Sequence, residues 1–313
     1  MLADTDVGSV ITAGQSGVQW GYRLLWLQFL LMPILYIVQE LTVRLGIFTG
    51  RGHGELIRST FGPVWAWVSA IGLAVATAGA LLSEFSGVAG VGEMFGVSRA
   101  VTLPMAAAAL LATVLTGSYR RVERVAIVIG LFELAFFAVA WAAAPDPATM
   151  LHQAMDLRLG NSDYLYLVAA NIGAVIMPWM VFYQQSAVAD KRLQPEHFSA
   201  ARWDTAIGAV ITQLVMAAVL VSTAATLGAG AAPGGTATTL SSVGEMSAAL
   251  TPLLGFNLGR VVFGMGVLGA GLVAAIVRRW HWHGGSARSR ATGARWSCAR
   301  CRRAGSTAAT PPA

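Results

Sequence analysis

Near its start the 313-residue chain places a carboxylate, a glycine and a hydroxyl within four residues, Asp6-Val7-Gly8-Ser9. Farther on, inside an apolar run, stands Gly173-Ala174-Val175-Ile176-Met177-Pro178-Trp179. Pro178 has no backbone N–H and disrupts the helical turn before it. The carbonyls near Ala174 are then open to a ligand, and Met177 adds a soft thioether at the same break. Taken alone, such a segment is more often a kinked helix with a core methionine. Two interrupted elements, one early in each half of a chain, are the pattern of a secondary-transporter site at the middle of a membrane. Oxygen-only sites suit Mg²⁺ and Ca²⁺, whereas a thioether favours softer ions. A carboxylate and hydroxyl opposite a thioether and a carbonyl therefore point to a divalent transition metal.

The elements that position these groups follow from composition. Hydrophobic residues make up 56% of the chain and charged residues only 12%, about half the charged share of a soluble domain. That excludes a disulfide scaffold, a disordered chain and an ordinary soluble enzyme. The chain reads as an all-α, polytopic helical membrane protein. Apolar runs recur at 24–43, 64–91, 97–117, 125–144, 164–189, 205–227 and 252–277. Each is near the roughly 20 residues a helix needs to cross a bilayer, and helices are the expected form because lipid offers no partner to backbone polar groups.

Loop charges orient the spans. Arg44, Arg51 and Arg58, then Arg120, Arg121 and Arg124, then Lys191, Arg192 and Arg202 fall in one set of alternate loops. The other set holds only Arg23, Arg99 and Arg158. The positive-inside rule places the first set in the cytoplasm of a cell whose inner (plasma) membrane the chain crosses several times. Residues 278–313 carry eight arginines and no acidic residue. Without them, 13 basic residues face 15 acidic ones, so the net charge of +6 belongs to the tail and implies no nucleic-acid partner.

Charges inside apolar spans are functional candidates, because lipid burial costs several kcal/mol. These are Glu40, Glu84, Glu133 and Arg260. Glu40 stands four residues before Arg44 and reads as an interfacial ion pair. Glu84, in Leu-Leu-Ser-Glu-Phe-Ser-Gly, has two equal readings: a structural hydrogen-bonding carboxylate, or part of an ion path. Nothing in the sequence names a partner for Glu133. His53, His152 and His197 lie in loops or near span ends and take no role, and no Ser/His or paired-Asp arrangement suggests a hydrolase. His281, His283, Cys298 and Cys301 resemble zinc ligands only loosely and are assigned to chance. Residues 1–22 are too short to span, and stand either as a solvated arm or as the second half of a broken helix.

With these residues in place, the chain resembles the natural resistance-associated macrophage protein (NRAMP) family of divalent metal transporters. Asp6-Val7-Gly8-Ser9 matches the family's Asp-Pro-Gly-Asn, and Met177-Pro178-Trp179 its Met-Pro-His. Further matches are Arg44-Leu-Gly-Ile-Phe-Thr-Gly50, Glu55-Leu-Ile-Arg58, Ser83-Glu-Phe85 and Ser199-Ala-Ala-Arg-Trp-Asp204. The resemblance runs from residue 3 to about 277. It implies a leucine-transporter-like inverted-repeat fold with helices one and six unwound at the ion site. By position it implies that Asp6 binds the metal through its carboxylate, that Ser9 stands in place of an Asn amide, that Ala174 offers its carbonyl and that Met177 offers its sulfur. It further implies import of Mn²⁺ or Fe²⁺, typically with protons, with the metal as cargo and no resident cofactor.

The departures are at titratable positions. Trp179 replaces a His, Gln184 a second His, and Leu81 an Asp one turn before Glu84. Neither Trp nor Leu carries a proton, so the expectation is uncoupled or differently coupled transport, with Glu84, Trp179 and Gln184 the positions along any ion pathway. A related Mg²⁺-carrying branch is similar in the first helix, and Met177 argues against a purely hard-ion site. The resemblance also implies a transporter domain over 1–277, running from the second half of helix one through helix eight with an incomplete second repeat. Residues 278–313 are then an Arg-rich tail, disordered or out of frame. The alternatives are a non-transporting, truncated membrane protein, or a carrier of Mg²⁺ or of an organic substrate on the same fold. The sequence sets no oligomeric state.

Overall fold

The computed structural model describes residues 5–115 and 131–226, and beyond them Val261, Gly264 and Val267. The described residues form ten α-helices and no strand. These are α1 (Val7–Trp20), α2 (Leu25–Thr49), α3 (His53–Phe61), α4 (Pro63–Met94) and α5 (Arg99–Leu115), then α6 (Ala135–Ala142), α7 (Pro147–Ala154), α8 (Ser162–Val175), α9 (Pro178–Asp190) and α10 (Phe198–Thr226). Short 3₁₀ turns join α1 to α2 and precede α6 and α10.

Local chemistry sets the boundaries. The Asp6, Asp146 and Asn161 side chains accept from first-turn backbone N–H groups of α1, α7 and α8, groups that have no partner within their helix. Proline, whose missing N–H costs nothing at the first helical position, opens α4, α7 and α9. Gly50 ends α2 in the left-handed region, φ 60°, where its N–H reaches the Gly46 carbonyl. Gly21 ends α1 at the same φ.

α1 lies at the centre, packed on α10, α8 and α4, while α10 also packs on α2 and α6 and α2 on α9. Val7 and Val10 of α1 share a buried cluster with Val91 of α4, Phe136 and Val139 of α6, and Val215, Met216 and Val219 of α10. Leu27, Leu31 and Leu35 of α2 bury with Tyr164 and Leu167 of α8 and Leu220 of α10. Small residues allow the closest crossings, as in membrane bundles generally. A β-carbon on Gly17 would meet Thr223 Oγ1, the Leu220 carbonyl and, at 2.9 Å, the Ala224 nitrogen.

Four of the seven apolar runs lie in helices of spanning length and composition. Within the described residues, four helical stretches are long and apolar enough to cross a membrane: Val7–Thr49, Pro63–Met94, Ser162–Asp190 and Pro195–Thr226. Along α4 the residues Val64, Trp65, Trp67, Val68, Ile71, Val75 and Leu82 are all more than half exposed. A contiguous apolar face of that extent suits lipid, not water. The run 24–43 starts on the last residue of the 3₁₀ turn and continues in α2, 64–91 falls within α4, and 164–189 covers most of α8, the break and most of α9. The run 205–227 begins late, since α10 starts at Phe198. The run 252–277 and Arg260 lie outside the described residues except for Val261, Gly264 and Val267, and residues 278–313 lie wholly outside them.

The N-terminal segment is not a solvated arm. Val7 and Val10 are completely buried, and Asp6 and Ser9 nearly so. Its polar residues are absorbed by helix contacts: Thr12 Oγ1 donates to the Gly8 carbonyl and Ser16 Oγ to that of Thr12, both at 2.8 Å.

Candidate functional site

Asp6 sits just ahead of α1 in extended backbone and caps it. Its Oδ1 accepts from both the Ser9 N–H and the Ser9 hydroxyl, each at 2.6 Å. Across the gap, α8 ends at Val175 and α9 begins at Pro178, leaving Ile176 and Met177 outside both helices. The Ala174 carbonyl, in the last turn of α8, lies 3.2 Å from Ser9 Oγ. Asp6, Ser9 and Ala174, predicted as one set, are therefore in direct contact across two elements 165 residues apart.

The Ser9 hydroxyl faces two of these oxygens. The Ser9 hydroxyl carries a single hydrogen, and both Asp6 Oδ1 and the Ala174 carbonyl stand within reach of it. Two acceptors converging on one donor bring several lone pairs together, which is the requirement of a cation site. Adjacent oxygens around a small octahedral ion with bonds near 2.1 Å stand about 3 Å apart. The Ser9–Ala174 spacing fits that, and the Asp6–Ser9 contact would open by a few tenths of an ångström. No group of three or more His, Cys, Asp or Glu side chains among the described residues is arranged to hold a metal. A site here thus mixes one carboxylate with neutral donors.

Met177 supplies the soft donor and is the N-cap residue of α9. It is buried in a small cluster with Trp179 and Met180, backed by Leu73 and Ala80 of α4 and by Tyr183. The Trp179 indole N–H donates to the Met177 sulfur at 3.3 Å.

Of the pathway positions, Glu84 is buried and its Oε2 stands 3.5 Å from the Val7 nitrogen. It therefore brings a second carboxylate to the N-terminus of α1, the positive end of that helix dipole. Trp179 is buried. Gln184 is half-buried, while its neighbour Gln185 is fully buried. Gln185 Oε1 lies 2.7 Å from His53 Nδ1, and its Nε2 donates to the Arg51 carbonyl at 3.0 Å. His53 is thus engaged where the sequence assigned it no role. Glu133 is fully buried in the turn ahead of α6.

Glu40 forms the expected pair with Arg44 at 2.7 Å. Arg202 joins it at 3.5 Å, and both guanidinium groups lie over the Phe198 ring. Sequence reasoning counted Arg202 only as a loop charge and missed this pairing, whose partner is 162 residues away in the chain. It also missed Asn171, whose amide accepts from Gln28 Nε2 at 2.9 Å and donates to Ser16 Oγ at 2.8 Å, tying α2, α8 and α1 together. The available signal was an Asn in the middle of an apolar run. At the other end of α2, Asp156 bridges Arg158 and Arg23, each at 2.8 Å. Hydrogen bonds from Arg158 and then Arg23 hold its carboxyl below the usual carboxylate range.

Comparison with known proteins assigns the chain to a family. The family described as "Natural resistance-associated macrophage protein-like" matches residues 1–305. The chain belongs to the natural resistance-associated macrophage protein family. Among its relatives are proteins named divalent metal cation transporter MntH. That of Erwinia tasmaniensis is 30% identical over 282 residues, which cover 87% of this chain and 66% of the relative. That of Yersinia pestis is 30% identical over 286 residues, covering 88% of this chain and 68% of the relative. The chain thus spans about two thirds of the length of these NRAMP relatives. They are transporters, not enzymes.

A crystal structure of the Eremococcus coleocola manganese transporter, in complex with an aromatic bis-isothiourea compound, superposes with a TM-score of 0.69 at 16% identity. It matches 90% of this chain, which covers 64% of the transporter. The all-α fold expected of an NRAMP protein is therefore present, on the leucine-transporter-like plan.

Proposed function

We propose that this NRAMP chain carries a divalent transition-metal ion of the Mn²⁺ or Fe²⁺ class across the inner membrane. The ion binds between the start of α1 and the break joining α8 to α9. Asp6 supplies the one anionic ligand, Ser9 a hydroxyl, Ala174 a carbonyl and Met177 a thioether. The reading is supported chiefly by the approach of the Asp6 carboxylate and the Ala174 carbonyl to the one Ser9 hydroxyl, close in sequence to the Met177 break. One carboxylate against a divalent cation leaves net positive charge, which the nearby Glu84 helps to offset. A mixed oxygen and sulfur set suits a borderline ion better than Mg²⁺.

We further infer that no proton travels through Trp179 or Gln184, since an indole and an amide do not titrate in the physiological range. Residues 1–277 are read as part of the transporter domain, from the second half of helix one through helix eight. The end of the bundle carrying Arg44 and Arg202 faces the cytoplasm, with Asp156 on the outer side.

The test is Mn²⁺ uptake into proteoliposomes holding this chain, with and without Asp6→Ala and with an imposed proton gradient. Uptake that needs Asp6 and ignores the gradient supports both statements. Uptake that accelerates with the gradient overturns the uncoupled reading. No metal-dependent uptake by this chain would make it a non-transporting membrane protein.

A further inference from the structure

The contact between Trp179 and Met177 has a consequence for which ions the site prefers. The indole N–H is only a donor, and here its acceptor is the Met177 sulfur, 3.3 Å away. Both residues are nearly fully buried. Leu73 and Ala80 of α4 pack against the cluster, so the indole is held against the sulfur by a neighbouring helix. Cap and donor are two residues apart in the first turn of α9, so the contact is local to that turn.

We propose that Trp179 is a specificity-determining residue: its N–H restrains the Met177 thioether and lowers the site's preference for soft ions. The proposal rests on the reading of Met177 as a metal ligand. A thioether binds a cation with a sulfur lone pair. A hydrogen bond to that sulfur draws electron density away from it, as hydrogen bonds to ligand atoms do at metal centres generally. The indole dipole also turns its positive end toward the sulfur and hence toward any cation bound there. Both effects weigh on the sulfur bond and leave the oxygen bonds of Asp6, Ser9 and Ala174 untouched. Since sulfur is what distinguishes soft from hard ions, the penalty falls on Cd²⁺ more than on Mn²⁺. Replacement of a titratable ring by an indole at this position thus alters selectivity as well as removing a proton carrier.

The test is calorimetric binding of Cd²⁺ and of Mn²⁺ to the full chain in detergent, for the natural protein, Trp179→Phe, Met177→Ala and the double variant. Phe keeps ring bulk and deletes the donor. A second replacement of Trp179 by 3-benzothienylalanine, whose two-ring shape matches indole, covers the case in which Phe packs poorly. Loss of the N–H is expected to tighten Cd²⁺ binding roughly three- to tenfold, the scale of one modest hydrogen bond. Mn²⁺ affinity should change less than about twofold, since its bonds are mainly to oxygen. In the Met177→Ala background the Cd²⁺ gain should vanish. An unchanged Cd²⁺ to Mn²⁺ ratio in both indole replacements overturns the proposal, as does a gain that persists without Met177. Asp6→Ala separates the two levels: if it leaves binding of both ions intact, the site itself is misassigned and the role of Trp179 falls with it. If Asp6→Ala and Met177→Ala both weaken binding while the indole replacements do nothing, only the role of Trp179 fails.

Discussion

Asp6 and Met177 each cap a helix, α1 and α9, and they do so by opposite means. The Asp6 carboxylate accepts the Ser9 N–H and hydroxyl, so the same oxygen that would hold a cation also fixes the first turn of α1. Met177 makes no side-chain cap bond to α9. That helix starts because Pro178 tolerates the first position, because the Met180 N–H closes a turn onto the Met177 carbonyl at 3.1 Å, and because the cluster with Trp179 packs on α4. Charge and local structure are thus one feature on the α1 side and separable features on the α9 side. Changes at Asp6 will mix affinity with the loss of a cap, whereas Met177→Ala leaves capping alone and mixes affinity with lost packing of about 2–5 kcal/mol.

The largest effect is expected at Asp6. Asp6→Ala removes the one anionic member of the proposed ligand set, and Mn²⁺ uptake should fall by more than the roughly 100-fold seen for changes outside the first coordination shell. It should also lower stability by about 1 kcal/mol through the lost cap. Asp6→Asn sharpens the comparison. An amide oxygen caps as well as a carboxylate, so thermal unfolding should stay near that of the natural protein while uptake is lost. If Asp6→Asn transports normally, charge at this position is not what binds the ion.

Met177→Ala comes next. Mn²⁺ affinity should fall by about tenfold, and the margin over Mg²⁺ should narrow, because the softest donor is gone and the oxygens remain. Stability should change little through capping, in contrast to Asp6→Ala. A Met177→Ala protein that still discriminates between Mn²⁺ and Mg²⁺ as before would place selectivity on the oxygen side.

The sequence made the α1 side legible further than the α9 side. The four residues Asp6-Val-Gly-Ser9 announce a carboxylate and a hydroxyl close in sequence, and helical geometry alone brings a capping side chain to the third residue of its helix. Pro178 likewise announced the break. The tertiary contacts were not legible: Ser9 with Ala174, Glu84 with Val7, Arg202 with Glu40 and Asn171 with Gln28 and Ser16 all join residues on different helices. Apolar periodicity is weak in helices that are hydrophobic all round, because lipid and protein interior ask for the same residue types. The faces of α2, α4 and α10 could therefore not be assigned, and with them the second partner of Glu40, Arg202, and the contact of Glu84 with Val7. The choice between a solvated arm and a buried helix for residues 1–22 was open for the same reason.

A pair of glycine substitutions tests whether the two sides respond independently. A β-carbon on Gly87 of α4 would come within 2.5 Å of Val7 Cγ2 and 2.6 Å of Cγ1. Val7 is β-branched, stiff and next to Asp6, so Gly87→Ala must push on the start of α1. Overpacking of this kind costs about 1–3 kcal/mol, and Mn²⁺ affinity should fall several-fold with no ligand removed. Gly173 in α8 has open space around its would-be β-carbon. Gly173→Ala should therefore be neutral or stabilising by up to about 1 kcal/mol through helix propensity, with unchanged uptake. Equal loss in both variants would mean that the α8 break is as tightly constrained as the α1 start.

The smallest effect is expected far from both caps, at the loop where Asp156 receives Arg23 and Arg158. Arg23 lies in the turn joining α1 to α2, and Asp156 in the loop between α7 and α8, so the pair pins the α1–α2 corner from outside. The groups are partly exposed, and ion pairs of that kind are worth little and are screened by salt. Because bonding to Arg158 and Arg23 lowers the Asp156 pKa in the folded protein, its stabilisation is complete above the unfolded value, about 3.9. It is lost as pH falls through the lower, folded value. Asp156→Asn should thus produce a slight fall in melting temperature that is constant from pH 5 to 8, shrinks with added salt and disappears in strong acid. Since neither cap is touched, Mn²⁺ affinity should not move. A change in affinity at constant salt would show that the α1–α2 corner transmits strain down α1 to Asp6, and that the α1 side is governed from the loop as well as from its own first turn.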